Sequence, residues 1–316
     1  MGLAIGVDVG GTKVAAGVVD EAGKVISMTR RDTPPGSTGA AVEDVIADAV
    51  QELKADHPVE VVGVGAAGFV GADRATVLFA PNLAWRNEPL REAIERRVGL
   101  PTLVENDANA AAWAEARFGA GAGEPDVVVV TVGTGIGGGI IIGGHLVRGR
   151  YGLAAEIGHL SMVADGRLCG CGNQGCWEQY ASGRALVAEA RRLAAVDPDS
   201  AVILLKLAEG RPTAIDGPMV TAAAQAGDKV AVECFRIIGT WLGRGIADLA
   251  AVVDPGVFIL AGGVSRAGEL LREPAWQTYL THLTARRHRP VADVRTARLG
   301  GDEPGVIGAA DLARHG

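Results

Sequence analysis

A two-domain α/β protein is predicted by three observations. A buried strand, a glycine turn and a second strand occupy residues 3–19 and recur at 127–149, one set near the start of each half. Amphipathic helical segments alternate with strand patterns, as in a sheet covered by helices. The length, 316 residues, suffices for roughly two domains with separate cores.

The elements follow in order. LAIGVDV, GGTK and VAAGVVD read as strand, turn and strand, and DEAGK (20–24) turns the chain into a third strand, VISMTRR. Pro34-Pro35-Gly36 interrupts the pattern, and residues 38–55 then show helical spacing, with Val42, Val45, Ile46, Val50 and Leu53 on one stripe. VEVVGVGAAGFV is predicted as a buried strand entering a glycine loop, 88–97 as a helix, PTLVEND as a strand ending at Asp107, and NAAAWAEARF as a helix. The second half opens with DVVVVTV as a strand, GTGIGGG as a glycine turn and IIIGGHLVRG as a strand. Helices are expected at about 183–195, 200–209, 217–226 and 228–252, then the strand GVFILAGGV. The tail GVIGAADLARHG is expected to be helical and to pack back on the first domain. The expected domains are 1–106 with 302–316, and 107–301.

Composition excludes several function classes. The chain is 48% hydrophobic and 21% charged, which is globular, not disordered. Its formal net charge of −7 and the lack of a basic tail argue against sequence-independent nucleic-acid binding. Arg286-Arg287-His288-Arg289 reads as a solvated helix end. No segment reaches the roughly 20 apolar residues of a membrane helix, and the opening MGLAIGVDVGG lacks a signal peptide's basic region. A cytoplasmic protein with no membrane or nucleic-acid partner is expected.

Asp8-Val9-Gly10-Gly11-Thr12-Lys13 places a glycine turn directly after a buried strand. Its backbone N–H groups can form an anion nest, with the Thr12 hydroxyl and the Lys13 ammonium as further donors, and Asp8 can hold a hydrated Mg²⁺. A plain hairpin turn would also use Gly-Gly. Gly133-Thr134-Gly135-Ile136-Gly137-Gly138-Gly139 contains the dinucleotide spacing G-x-G-x-x-G, but β-branched residues follow instead of a helix, so the Rossmann reading fails. A second phosphate-holding hairpin fits better. Gly262-Gly263, after the strand VFIL, would let backbone approach an adenine or its ribose, or merely cap the strand.

Asp107 lies where a strand becomes a helix. It is either a helix N-cap or a carboxylate that takes a proton from an attacking hydroxyl. Asn106 beside it can both donate to and accept from hydroxyl groups. Cys169, Cys171 and Cys176, in C-x-C-x₄-C spacing with His159 ten residues upstream, supply the donors of a closed Cys₃His zinc site, structural because it leaves no open position. Glu156 and Glu178 bracket that segment and could accept from further hydroxyls.

DVGGTK, ENDANAAAWAE, VGTGIGGG, EIGH, CGCGNQGCWEQYAS and LAGGVS, in this order over nearly the whole chain, resemble the ROK family (repressors, open reading frames and kinases). The cysteine segment is the most specific of these. The resemblance implies the two-domain sugar kinase, Hsp70 and actin-like (ribonuclease H-like) fold, with a nucleotide cleft between the domains. It implies ATP-dependent phosphorylation of glucose at its 6-hydroxyl, with Asp107 as base and Gly68, Asn106, Asp107, Glu156, His159 and Glu178 on the hexose. ATP with Mg²⁺ would meet Asp8, Gly10, Gly11, Thr12, Lys13, Gly133, Thr134, Gly135, Gly262 and Gly263, and zinc would be held by His159, Cys169, Cys171 and Cys176. Where many members have Pro before the sugar-side glycine, this chain has Ala67. The alternatives are a kinase for N-acetylmannosamine, N-acetylglucosamine, fructose or mannose, polyphosphate as donor, or a sugar sensor that does not bind DNA. A homodimer or homotetramer is implied by the resemblance alone.

Overall fold

The computed structural model describes residues 2–33, 36 and 38–315. The expected interruption at Pro34-Pro35 lies outside the described residues. The chain forms β1 (Leu3–Val9), β2 (Lys13–Val19), β3 (Val25–Asp32), α1 (Gly39–Asp56), β4 (Val59–Ala66), β5 (Phe69–Val70), β6 (Val77–Phe79), β7 (Arg86–Glu88), α2 (Leu90–Val98), β8 (Thr102–Asn106) and α3 (Asp107–Phe118). It continues through β9 (Val127–Val132), β10 (Ile136–Ile142), β11 (His145–Leu146), α4 (Glu178–Ala181), α5 (Gly183–Val196), α6 (Val202–Leu207), α7 (Gly217–Gln225), α8 (Lys229–Val253), β12 (Val257–Ala261), α9 (Glu269–His282), β13 (Asp293–Thr296) and α10 (Glu303–His315).

Two five-stranded sheets have the orders β3-β2-β1-β4-β8 and β11-β10-β9-β12-β13. In the first, β1 pairs antiparallel with β2 and parallel with β4, and β4 pairs parallel with β8. In the second, β12 lies parallel to both β9 and β13. Each sheet thus opens with a three-strand meander and adds two parallel strands after intervening helices, so the repeat seen in sequence is a repeat of topology. A three-stranded sheet, β5-β6-β7, is additional.

Two compact units result, one of residues 1–125, 139–155 and 298–316, the other of 126–138 and 156–297. The first keeps α3 because α3 packs on α10, which itself lies against β1 and β4. That contact is possible only without side chains. A Cβ at Gly6 would stand 1.8 Å from the Val306 carbonyl oxygen, one at Gly63 1.9 Å from that of Ala309, and one at Gly308 1.7 Å from that of Ala110. On the other face, Val42, Ile46, Val50 and Leu53 of α1 are buried in the core with β-strand valines, as their spacing predicted. In the second unit, Phe258 of β12 meets Tyr279 of α9 edge-on at 5.8 Å, and α8 lies against α9.

Three local expectations are corrected. The glycine turn ends at Gly135, and Gly137–Gly139 lie inside β10. There a Cβ on Gly138 would stand 2.3 Å from Ile157 Cδ1, and one on Gly139 2.4 Å from Ala112 Cβ, so these glycines serve close packing and not a turn. IIIGGHLVRG is not one strand, because Gly143 and Gly144 take φ of +56° and +77° and turn β10 into β11. VEVVGVGAAGFV is a buried strand (β4) entering a glycine turn at Ala67-Gly68, as expected, with β5 following it. The Arg286–Arg289 segment is a turn beyond α9, not a helix end, and Arg289 pairs with Asp254. The helix α9 and strand β13 were not predicted. Among the described residues no helix is long and apolar enough to cross a membrane.

Candidate active site

In the first unit the β1–β2 turn is closed by the Gly10 N–H donating to the Lys13 carbonyl at 2.9 Å. Gly10 therefore shapes the turn and does not offer its amide to a ligand. A Cβ at Gly11 would meet Asn82 Cβ at 2.8 Å, and Thr12 is exposed at the tip. Asp8, at the end of β1, lies beneath. Burial, then the carboxylates of Asp107 and Asp302, pushes its carboxyl up to about 7, against the pull of Lys13. Lys13 pairs with Asp302, whose second oxygen is 2.8 Å from Arg30 Nε. The structure thus gathers Asp8, Lys13 and Asp107 and adds Asp302, which the sequence did not single out.

Asp107 is the first residue of α3, but it is not the cap. Asn106 caps the helix, its Oδ1 accepting from the Asn109 N–H at 2.9 Å. Asn106 Nδ2 donates to the Gly68 carbonyl at 3.0 Å and to Asp107 Oδ1 at 3.2 Å, so one amide orients two other predicted residues. A Cβ at Gly68 would stand 2.6 Å from the Phe79 carbonyl oxygen, so a glycine is required there whatever precedes it. Buried Glu105 supports this corner. Its Oε1 accepts from the Asn106 N–H and Asn109 Nδ2 (3.0 and 3.1 Å), and its Oε2 from Arg148 Nε at 2.6 Å. Glu105 and Arg148 were missed, because a carboxylate inside a strand gains meaning only when its cationic partner 43 residues away is known.

Asp8 carries a pH dependence. Its folded value lies above the ordinary 3.8, so folding favours the protonated form and the unfolded chain binds fewer protons between the two values. Ligand-free stability at this site is fully present below about 4 and is lost as pH rises toward 7. Asp8→Asn should therefore raise the melting temperature of the ligand-free protein more at pH 8 than at pH 5. Calorimetry at both values checks this, and an equal shift at both would remove the titration from the account.

In the second unit, the β9–β10 turn is closed by the Gly133 N–H on the Gly135 carbonyl (3.0 Å), and the Gly133 carbonyl accepts from the Gly183 N–H of α5 at 2.8 Å. Gly262, at φ +87° just after β12, approaches the Val132 carbonyl, where a Cβ would stand 2.6 Å away. A cavity of about 1040 Å³ opens here, with Gly133, Thr134 and Gly263 in its wall beside Pro218, Val187 and Arg184. Both predicted nucleotide segments of this unit thus line one cavity, at the upper end of small-molecule sites in size.

His159, Cys169, Cys171 and Cys176 place one ligand atom each within 4.8 Å of one another. Cys171 Sγ and Cys176 Sγ are 3.7 Å apart, and Cys169 Sγ and His159 Nδ1 are 3.6 Å apart. Disulfide sulfurs lie about 2.05 Å apart. Zn–S bonds of about 2.3 Å instead put tetrahedral sulfurs roughly 3.8 Å apart, so the spacing fits a metal. The loop bends at Gly172 (φ +95°) and at Gly175 (φ +77°), where a Cβ would lie 1.8 Å from the Val163 carbonyl oxygen. Buried Trp177 anchors it, its Nε1 donating to the Trp241 carbonyl at 2.9 Å. Glu178 follows, buried, its Oε1 accepting from Cys169 Sγ at 3.1 Å. Glu156 and His159 sit at the short helical turn 157–159, Glu156 exposed and His159 half-buried.

A duplicated five-stranded sheet, a glycine turn opening each copy and a cavity large enough for a nucleotide are the features of the actin-like fold shared by sugar kinases. Residues 4–315 match the ROK family, and the chain belongs to it. It is 54% identical over 314 residues to a glucokinase of Streptomyces coelicolor, covering 99% of this chain and 98% of that one. It is 35% identical over 319 residues to an N-acetylmannosamine kinase of Yersinia pseudotuberculosis, covering 99% of each. A crystal structure of a ROK family glucokinase from Streptomyces griseus in complex with glucose and AMPPNP superposes with a TM-score of 0.91 at 55% identity, covering 100% of both chains.

Proposed function

We propose that this chain phosphorylates D-glucose with ATP, giving glucose 6-phosphate and ADP. The observation that carries the reading is the full-length likeness to the two Streptomyces glucokinases, one of them bound to glucose and AMPPNP. Asp107 is the base. It takes the proton of the sugar's 6-hydroxyl as that oxygen attacks the γ-phosphorus, and the bond to the bridging oxygen breaks toward ADP. Gly68, Asn106, Glu156, His159 and Glu178 are the hexose residues. Gly10, by its bend, with Gly11, Thr12 and Lys13 forms one phosphate turn, and Gly133, Thr134 and Gly135 form the other. Gly262 and Gly263 face the nucleoside.

Burial, and then the neighbouring carboxylates of Asp107 and Asp302, pushes Asp8 up to about 7. Asp8 is the residue that would hold a hydrated Mg²⁺, which neutralises phosphate charge when bound. His159, Cys169, Cys171 and Cys176 would hold a structural Zn²⁺, with no part in proton transfer. A cytoplasmic location and a homodimer or homotetramer complete the reading.

The test is sugar-dependent ADP release with Mg-ATP over glucose, mannose, fructose and the N-acetylated hexosamines. Glucose is expected to be preferred. Preference for N-acetylmannosamine would keep the chemistry and move the substrate toward the Yersinia relative, while no turnover with any sugar would overturn the kinase reading.

A further inference from the structure

Arg184 is the second residue of α5, next to the Gly183 N–H that holds the Gly133 carbonyl. Its Nε donates to the Thr134 carbonyl at 3.1 Å, and its Nη2 lies 3.6 Å from Glu178 Oε1. Glu178 presses on the same turn. A Cβ at Gly135 would stand 2.4 Å from Glu178 Oε2 and 3.9 Å from Arg184 Nη2. A buried carboxylate and a guanidinium that is 64% exposed thus share one glycine of the phosphate turn.

An anion in that position disfavours any phosphate bound to the turn unless a cation offsets it. The cavity wall holds three arginines, Arg184, Arg191 and Arg266, and one carboxylate, Asp216. Arg191 is committed through Nε and Nη2 to the Ile215 carbonyl at 3.0 and 2.8 Å, and Asp216 caps α7 by accepting from the Met219 N–H at 2.9 Å. Arg184 is the arginine of the three bonded to the turn itself. The guanidinium is 64% exposed and its contact with Glu178 is long at 3.6 Å, so its outer nitrogens keep room for a second anionic partner while Nε stays bound.

We propose that Arg184 is a phosphate-contacting and positioning residue of the nucleotide site. Its Nε fixes the turn through Thr134, and a terminal nitrogen reaches a phosphate oxygen of the nucleotide while the guanidinium stays beside Glu178. The guanidinium offsets the charge of Glu178 when the site is empty, and when the site is filled it stands between carboxylate and phosphate and offsets both. This rests on the reading of the chain as an ATP-dependent hexose kinase.

The experiment uses the full chain with its metal and the variants Arg184→Met and Arg184→Lys. Calorimetry measures ADP, adenosine and glucose binding, and steady-state kinetics give KM for ATP and kcat. Arg184→Met should weaken ADP by about tenfold, the scale of a lost charge-assisted bond, with adenosine and glucose within about twofold and KM for ATP raised more than kcat is lowered. Arg184→Lys should recover part of the ADP affinity, because the charge returns without the planar fork. Equal loss of ADP and adenosine would overturn the proposal in favour of a structural role, as would unchanged ADP binding in favour of a surface residue. Wild-type protein that binds no ADP would overturn the nucleotide reading itself.

Discussion

Asp107→Asn lowers kcat by at least about 10²-fold while glucose affinity stays within a few-fold, the share expected of a general base. The substitution is nearly isosteric and removes the group that can accept a proton. The usual objection is that an Asp at a strand–helix junction is a cap whose loss destabilises the helix. Here Asn106 holds the cap, and its Nδ2 reaches Asp107 only as a second partner after the Gly68 carbonyl. The variant should therefore melt close to wild type. Titrating glucose by tryptophan fluorescence and measuring single turnovers separates binding from chemistry. If turnover survives, Asp107 is not the base, and the carboxylates left to consider are its neighbours Asp8 and Asp302.

Removing the metal has the other large effect. Chelation, or Cys171→Ser, should lower glucose affinity by at least about 10²-fold, because one set of donors orders the loop and holds His159. Without the ion, buried Cys169 is a thiol pushed up to about 12 by its surroundings, and the pair Cys171 and Cys176 has lost what held it at 3.7 Å. The loop ends at Trp177, so its release should shift tryptophan emission to the red and open residues 160–176 to protease. Undiminished activity in protein shown by elemental analysis to hold no zinc would remove the metal from the account.

Much of this was legible where the signal is local. The two glycine turns follow strands directly in sequence, and the cysteine segment carries three of its four ligands within eight residues. Gly137–Gly139 misled because glycine signals a turn and close packing with the same letter, and what packs there, Ile157 and Ala112, lies elsewhere in the chain. The helix α9 hid behind Pro274 and a thin buried stripe of Leu271, Ala275 and Tyr279. Asp302 and Arg184 escaped for a different reason. Their partners lie 289 and 50 residues away, Lys13 and Thr134, and charge pairing across such spans leaves no periodicity to read.

The glycine contacts of α10 bear on how the chain leaves the ribosome. The first sheet is translated by Asn106, and the helix that covers one of its faces begins at Glu303. At about 5–20 residues per second, roughly 10–40 s separate the two. For that interval the backbone of Gly6 and Gly63 lacks the Val306 and Ala309 carbonyls that lie against it in the folded chain. The nascent sheet is then most exposed to wrong pairing, and holdase chaperones have most to protect. A translation product that stops short of Glu303 keeps the strands of that sheet and lacks the one segment they were built to receive.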